Sequence, residues 1–291
     1  MNEYSPLKRV AVRAPLEAFR SQSDIETEWE ALRFHSAPQF DQAVHEHETF
    51  TEALKATGAE VIALGPHADL TLDSLYVRDA LLVTTKGLIA CHMGRVTRRG
   101  EPYANAAELE QRTGLPLLGE ITSPGTLEGG DVIRLNEYTM AVGIGPRTNH
   151  AGVDQLQALL GPNIAIHRVP LPAPDHPENV FHLMSMISPI DVDLALVYAP
   201  LIPKSFSDWL NRHGIMQLPV PDDEYMTMGC NVLATGPRQA LMLSGLPKTR
   251  RLLEDHGVQV TTYDGDEISR KGEGGPTCLT LPLRRDPTPF L

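Results

Sequence analysis

Cys278 closes the glycine-rich stretch GEGGPTC (272–278) and is followed at once by the apolar run LTLPL. A cysteine attacks carbon as its thiolate. An unperturbed thiol titrates near about 8.5, so the chemistry needs a nearby cation, a histidine or backbone N–H groups to lower that value. Glycines ahead of the thiol would let the backbone approach a ligand closely and present amide donors. The plainer reading of Gly-Gly-Pro is a turn that carries a small hydrophobic residue. His182, between Phe181 and Leu183, is the candidate base, and a correctly placed acid–base group is worth roughly 10²–10⁴ in rate. Asp73, Asp79, Glu128 and Asp131 stand at the edges of apolar runs, where a buried carboxylate needs a partner. Asp131 alone among them reads easily as a solvated turn acid. Several acids beside a nucleophile make a cation site, and a planar guanidinium takes paired carboxylate contacts best. Arg98 and Arg147 could grip a carboxylate at the other end of such a ligand.

Two further patterns carry less chemistry. HEHE (45–48) has its histidines two apart on a predicted helix, where they face different ways, so it reads as a solvated face rather than a metal motif. Cys91–His92 is a single pair without the further ligands a zinc site wants. GxGxxG, P-loop and GxSxG sequences do not occur. Neither a metal nor an organic cofactor is expected.

Residues this far apart in sequence need a fold that gathers them. Short apolar runs with a polar or glycine-rich entry recur as YVRDALLV, LEGGDVIRL, VFHLMSMI, GCNVLAT and GGPTCLTL. Taking Asp79, Glu128, His182, Asn231 and Cys278 as markers, the steps are 49, 54, 49 and 47 residues. A period near that length, holding strands and a helix, predicts repeated modules around a shared axis, with one marker per module turned to a common centre. Helical spacing is expected over 39–57, ended by Gly58, and then over 151–160, 204–213 and 249–257; AEVIAL (59–64) reads as a strand.

The chain of 291 residues is 42% hydrophobic and 21% charged, as an ordinary globular protein is, with no linker dividing it. A single domain over 1–291 is the expectation. A net charge of −12 argues against nucleic acid or an anionic membrane as the main partner. The N-terminus lacks the apolar stretch of a secretory signal, and no long apolar run exists. Three widely spaced cysteines form neither a disulfide nor a zinc framework. Free thiols fit a reducing compartment, so a cytoplasmic location is expected. A homodimer is expected only as the commonest assembly.

DSLYVRD (73–79), TRRGE (97–101), LEGGD (127–131), GPRTN (145–149), FHLMS (181–185) and GGPTC (274–278), in this order, resemble the guanidino-group-modifying enzymes: arginine deiminase, dimethylarginine dimethylaminohydrolase and the amidinotransferases. The resemblance covers nearly the whole chain. It implies the α/β pentein fold, a five-bladed propeller of ββαβ modules, and a small guanidino substrate. It also implies Cys278 as nucleophile, His182 as acid–base group, Glu128 as the acid orienting it and Asp79 as the guanidinium-binding acid. Arg98 and Arg147 resemble the arginines that hold the substrate α-carboxylate. Asp73 matches the dimethylarginine hydrolases, where deiminases have asparagine.

Two positions depart from that branch. Arg78 resembles the deiminase pattern, where dimethylarginine hydrolases carry an acid. Met184 stands where deiminases and amidinotransferases place a second guanidinium-binding aspartate, and a thioether cannot balance charge. The pocket is thus expected to hold one face of the guanidinium against apolar surface, which suits an N-alkylated guanidine. The resemblance implies hydrolysis through a covalent thiouronium, giving a ureido product and an amine. Deimination of free arginine, amidino transfer to an amine, and a non-catalytic pentein are the alternatives. The thiol is expected to be of lowered pKa and to alkylate well ahead of Cys91 and Cys230.

Overall fold

The computed structural model describes residues 2–173 and 181–286. The strands fall into five groups of three. β1 (Leu7–Arg13) and β2 (Glu60–Leu64) are followed by β3 (Leu81–Val83), β4 (Leu88–Ala90) and β5 (Leu117–Glu120). Then come β6 (Val132–Arg134), β7 (Thr139–Ile144) and β8 (Ala165–Pro170), and β9 (Ile187–Asp191), β10 (Leu194–Val197) and β11 (Met216–Pro219). β12 (Leu233–Gly236), β13 (Gln239–Leu243) and β14 (Gln259–Tyr263) form the last complete run, and β15 (Leu281–Arg285) returns to pair with β1.

Every sheet is built alike. An antiparallel pair (β3–β4, β6–β7, β9–β10, β12–β13 and β15–β1) is followed by a parallel one (β4–β5, β7–β8, β10–β11, β13–β14 and β1–β2). A parallel pair cannot be joined by a tight turn and needs a crossover. The helices Phe40–Ala56, Glu101–Thr113, His150–Leu160, Lys204–Arg212 and Pro247–Asp255 supply those crossovers. Asn149 caps one of them by accepting from the Gly152 N–H at 2.8 Å. Gly114 ends another in the left-handed conformation (φ 70°). The fifth module joins the two ends of the described chain, with Leu7 opposite Arg285 and Ala11 opposite Leu281. The ring therefore closes through antiparallel hydrogen bonds.

Apolar helix faces pack on the sheets. Phe50 and Leu54 are fully buried, and Phe50 packs at a tilt, 4.7 Å between centroids, on Tyr263 of a neighbouring module. Burying such side chains is worth about 1.5–3 kcal/mol each. No helix among the described residues is long and apolar enough to cross a membrane.

HEHE departs from its expected reading. His45 and Glu48 are exposed, but Glu46 and His47 are buried. Ala43, Glu46, His47, Phe50 and Leu54 follow the helical repeat and share one stripe facing the core. Glu46 accepts hydrogen bonds from the backbone N–H groups of Asp266, Glu267 and Ile268 at 3.2, 2.8 and 3.2 Å. It thus fixes the turn that leads into GEGGPTC. Burial pulls the His47 pKa down to about 4, so its imidazole stays neutral in the core.

Candidate active site

The segments entering β3, β6, β9, β12 and β15 carry Asp79, Glu128, His182, Asn231 and Cys278, one per module. All five line one cavity of 590 Å³, together with Asp73, Arg98 and Arg147. The expected common centre is present.

His182 and Glu128 form a close pair in it: Nε2 lies 2.7 Å from Oε2, and both residues are buried. The other Glu128 oxygen accepts from the backbone N–H groups of Gly94 and Arg95 at 2.9 and 3.2 Å, with Arg147 Nη1 at 3.7 Å. Burial opposes both charges, but each partner outweighs it. Burial alone would lower the His182 pKa; Asp79, Asp131 and the bond to Glu128 raise it above the ordinary value. Glu128 is held below the usual carboxylate range by His182 and the nearby arginines despite its burial. With Nε2 committed to Glu128, Nδ1 is the nitrogen left for a proton relay; it sits 3.9 Å from Asp79 Oδ1. Gly130 lets this happen. A Cβ there would stand 2.7 Å from both Asp79 Oδ1 and His182 Nδ1, which accounts for the second glycine of LEGGD.

Asp131 is fully buried rather than solvated. Its oxygens accept from the Leu183 N–H (2.9 Å) and the Thr148 hydroxyl (2.6 Å), tying the histidine segment to its neighbour; burial pushes its pKa up to about 6.

Cys278 is half-buried, whereas Cys91 and Cys230 are buried. The Asn231 amide donates to Sγ at 3.3 Å, and its carbonyl accepts from the Thr277 N–H and hydroxyl at 3.1 and 2.7 Å. The glycines ahead of the thiol allow close packing: a Cβ on Gly274 would lie 2.1 Å from the Tyr76 ring. The expected lowered pKa is not found. Burial raises the thiol, Asp79 adds to it, and the Asn231 amide, Thr277 and Arg78 oppose them without reversing the direction.

Arg98 lines the cavity with its donors already engaged. Its guanidinium donates to Asp79 (2.6 Å), the Tyr76 carbonyl (2.7 Å) and both oxygens of Glu101 (2.8 Å each). It is buried and braces Asp79. Arg95, which was not singled out from sequence, lines the same cavity with its side chain 17% exposed, and Nη1 lies 2.9 Å from Asp73 Oδ2. That approach is an ion pair without hydrogen-bond alignment, so Asp73 Oδ2 stays without a hydrogen-bond partner among the described residues. Burial raises the Asp73 pKa against the pull of Arg98, Arg95 and Arg147. The clue in the sequence was the density of arginine at 95–99, from which only Arg98 was chosen.

Arg78 has no ion pair with Asp73, Asp79 or Glu128. Nε donates to the Thr277 carbonyl at 3.1 Å, and Nη1 approaches Glu3 at 3.4 Å. Met184 is buried on the cavity wall and packs with Phe181 and Leu201. Asp79, Glu128 and His182 have ligand atoms close enough together for a cation, but these atoms already serve Arg98, the Gly130 N–H and each other.

Five ββαβ modules closed around a cavity holding a cysteine, a histidine and buried acids define a pentein of the guanidino-group-modifying superfamily. Within it, the chain belongs to the dimethylarginine hydrolase family. The family model described as N,N dimethylarginine dimethylhydrolase, eukaryotic, matches residues 21–285. The chain is 34% identical over 244 residues to the N(G),N(G)-dimethylarginine dimethylaminohydrolase of Streptomyces coelicolor, covering 83% of this chain and 86% of that one. The fold is similar to that of the Pseudomonas aeruginosa enzyme, solved as a cysteine-to-serine mutant with citrulline (TM-score 0.74, 23% identity, 95% and 99% of the two chains). It is also similar to SxtG, an amidinotransferase from Microseira wollei (TM-score 0.77, 18% identity, 99% and 97%).

Proposed function

We propose that the protein hydrolyses the guanidino group of an Nω-methylated arginine, releasing methylamine or dimethylamine and leaving citrulline. One observation carries this reading: the Cys278 thiol and the buried His182–Glu128 pair share a cavity whose lining also holds acids, arginines and apolar side chains. The acids Asp79 and Asp73 suit a guanidinium, and the arginines suit an anionic group on the same ligand. The apolar lining residues Met184, Phe181 and Leu201 suit N-methyl groups.

Chemistry follows from the charges. The empty site keeps Cys278 as a thiol, because burial and Asp79 disfavour the thiolate. A guanidinium set against Asp79 neutralises that acid and puts a positive charge beside the sulfur, which lowers the thiol pKa. The thiol proton passes to solvent and the thiolate attacks the guanidino carbon. His182, protonated at Nδ1, gives its proton to the departing amine as the C–N bond breaks, and an S-alkylthiouronium remains on Cys278. His182, now neutral, takes one proton from water as it attacks and is restored as the cation. The C–S bond breaks, the proton of the new hydroxyl passes to sulfur to restore the thiol, and the ureido product leaves. Glu128 holds the imidazole by Nε2 and stabilises its cation throughout. Three free thiols suit a reducing compartment such as the cytoplasm, and the whole chain acts as one catalytic unit.

Incubation with arginine, monomethylarginine and dimethylarginine, with amine and ureido products followed by mass spectrometry, tests the reading. Methylated substrates should turn over with the larger kcat/KM. A preference for bare arginine, or a new guanidino compound when ornithine or glycine is supplied, contradicts it.

A further inference from the structure

A second, smaller cavity shares Arg78 with the active cavity and has no part in the reaction above. It lies among β3, β6 and β15 and is lined by Arg78, Arg134 and Arg285 together with Asn2, Glu3 and Gly129. The three arginines come from three modules, and each is more than nine-tenths buried. Their charges are poorly matched. Among the described residues, Glu3 is the acid set against them: it approaches Arg78 at 3.4 Å and its charge acts on Arg134 and Arg285. Three guanidiniums against one carboxylate leave a surplus of positive charge in a place where unpaired charge is expensive.

Hydrogen bonding is also incomplete there. Arg285 donates through its two terminal nitrogens to the carbonyls of Ser5 and Ala234, but its buried Nε has no partner among the described residues. Arg134 makes no side-chain hydrogen bond to the described residues; its backbone N–H reaches Glu3 at 3.4 Å. Burial lowers the pKa of both, which records the cost of holding them charged. The free volume is 30 Å³, enough for one particle the size of a water molecule.

We propose that this cavity binds a small monovalent anion of halide size between Arg78, Arg134 and Arg285, alongside the carboxylate of Glu3. A halide supplies negative charge without a donor of its own and fits the space, whereas phosphate or a carboxylic acid is too large. Arg78 also carries the effect inward. Its Nε donates to the Thr277 carbonyl and its backbone N–H to the Cys278 carbonyl, so an occupant steadies the segment that holds the thiol.

Bromide-soaked crystals provide the test, read by anomalous scattering, alongside melting temperatures in sodium chloride and sodium gluconate at equal ionic strength. The expected result is a bromide peak among the three guanidiniums and a Tm roughly 2–4 °C higher in chloride. Glu3→Gln should strengthen the peak and the chloride dependence; Arg134→Gln should abolish both. No peak in either the wild type or Glu3→Gln, with equal Tm in the two salts, overturns the proposal. A peak in Glu3→Gln alone also overturns it for the native protein, because Glu3 would then fill the anion's place. Because Glu3 lies ahead of the first strand, its variant keeps the test valid even if Arg134→Gln does not fold.

Discussion

His182 Nε2 and Glu128 Oε2 stand 2.7 Å apart, and the two residues are 4% and 0% exposed. A charge-assisted bond this well buried holds the ring in one orientation and favours its protonated form. Glu128→Gln keeps the shape but removes the charge, so kcat should fall by roughly 10²–10⁴ with the fold intact. Steady-state kinetics with circular dichroism checks this. A variant with near-native kcat would show that Glu128 is only structural.

The same pair makes stability depend on pH. Burial lowers the His182 pKa, but the surrounding acids raise it to about 9 in the folded protein, against about 6.5 in an unfolded chain. A raised pKa contributes stability that is complete below the unfolded value and is lost as pH rises through the folded one. Tm should therefore fall between about pH 6.5 and pH 9 beyond what the rest of the protein loses. His182→Gln should flatten that part of the profile. An identical slope in the variant would assign the loss elsewhere.

Cys278 should alkylate before Cys91 and Cys230 because it alone is partly exposed, yet only slowly near neutrality, because its pKa is raised. Asn231→Ala removes the amide that donates to Sγ and should shift the labelling profile further up in pH. Peptide mapping after iodoacetamide treatment measures both. Fast labelling of the free enzyme near neutral pH would contradict the raised thiol.

Arg98 and Arg95 should part company when replaced. Arg98→Met leaves Asp79 and Glu101 buried without their partner, a change that typically costs about 3–5 kcal/mol, so the main loss should be in Tm. Arg95→Met should raise KM by about tenfold with a smaller change in Tm, since its side chain is partly exposed to the cavity. The reverse pattern would return the ligand-holding role to Arg98.

Met184→Asp should alter selectivity. An acid on the apolar wall would attract a bare guanidinium and repel nothing in it, while meeting methyl groups poorly. The ratio of kcat/KM for arginine over dimethylarginine should rise about tenfold or more; an unchanged ratio would mean that Met184 lies off the substrate.

The ring of modules was legible because the modules repeat the same local chemistry: a polar or glycine-rich entry and a short apolar strand, with four of the five crossover helices readable from their spacing; the helix Glu101–Thr113 was not expected. Asp79, Glu128, His182, Asn231 and Cys278 betrayed the period by their regular steps. Side-chain commitments were not legible. Arg98 and Arg95 are three residues apart in one basic cluster, and only tertiary contacts tell which spends its donors on Glu101 and Asp79. The burial of Asp131 likewise depends on Thr148 and Leu183, which reach it from other segments. Glu46 is a different case: its place on the stripe of Ala43, Phe50 and Leu54 could have been counted, and the polar residue type hid it. The thiol pKa could not be read at all, because it is a balance between burial, one acid, two neutral donors and one arginine.

Covalent catalysis at Cys278 is tested most directly by acid-quenching the enzyme during turnover of monomethylarginine and mapping its peptides by mass spectrometry. The Cys278 peptide should gain the substrate's mass less methylamine, and Cys278→Ser should show neither adduct nor turnover. Turnover by Cys278→Ser at the native rate, with no adduct on the native peptide, would contradict the account.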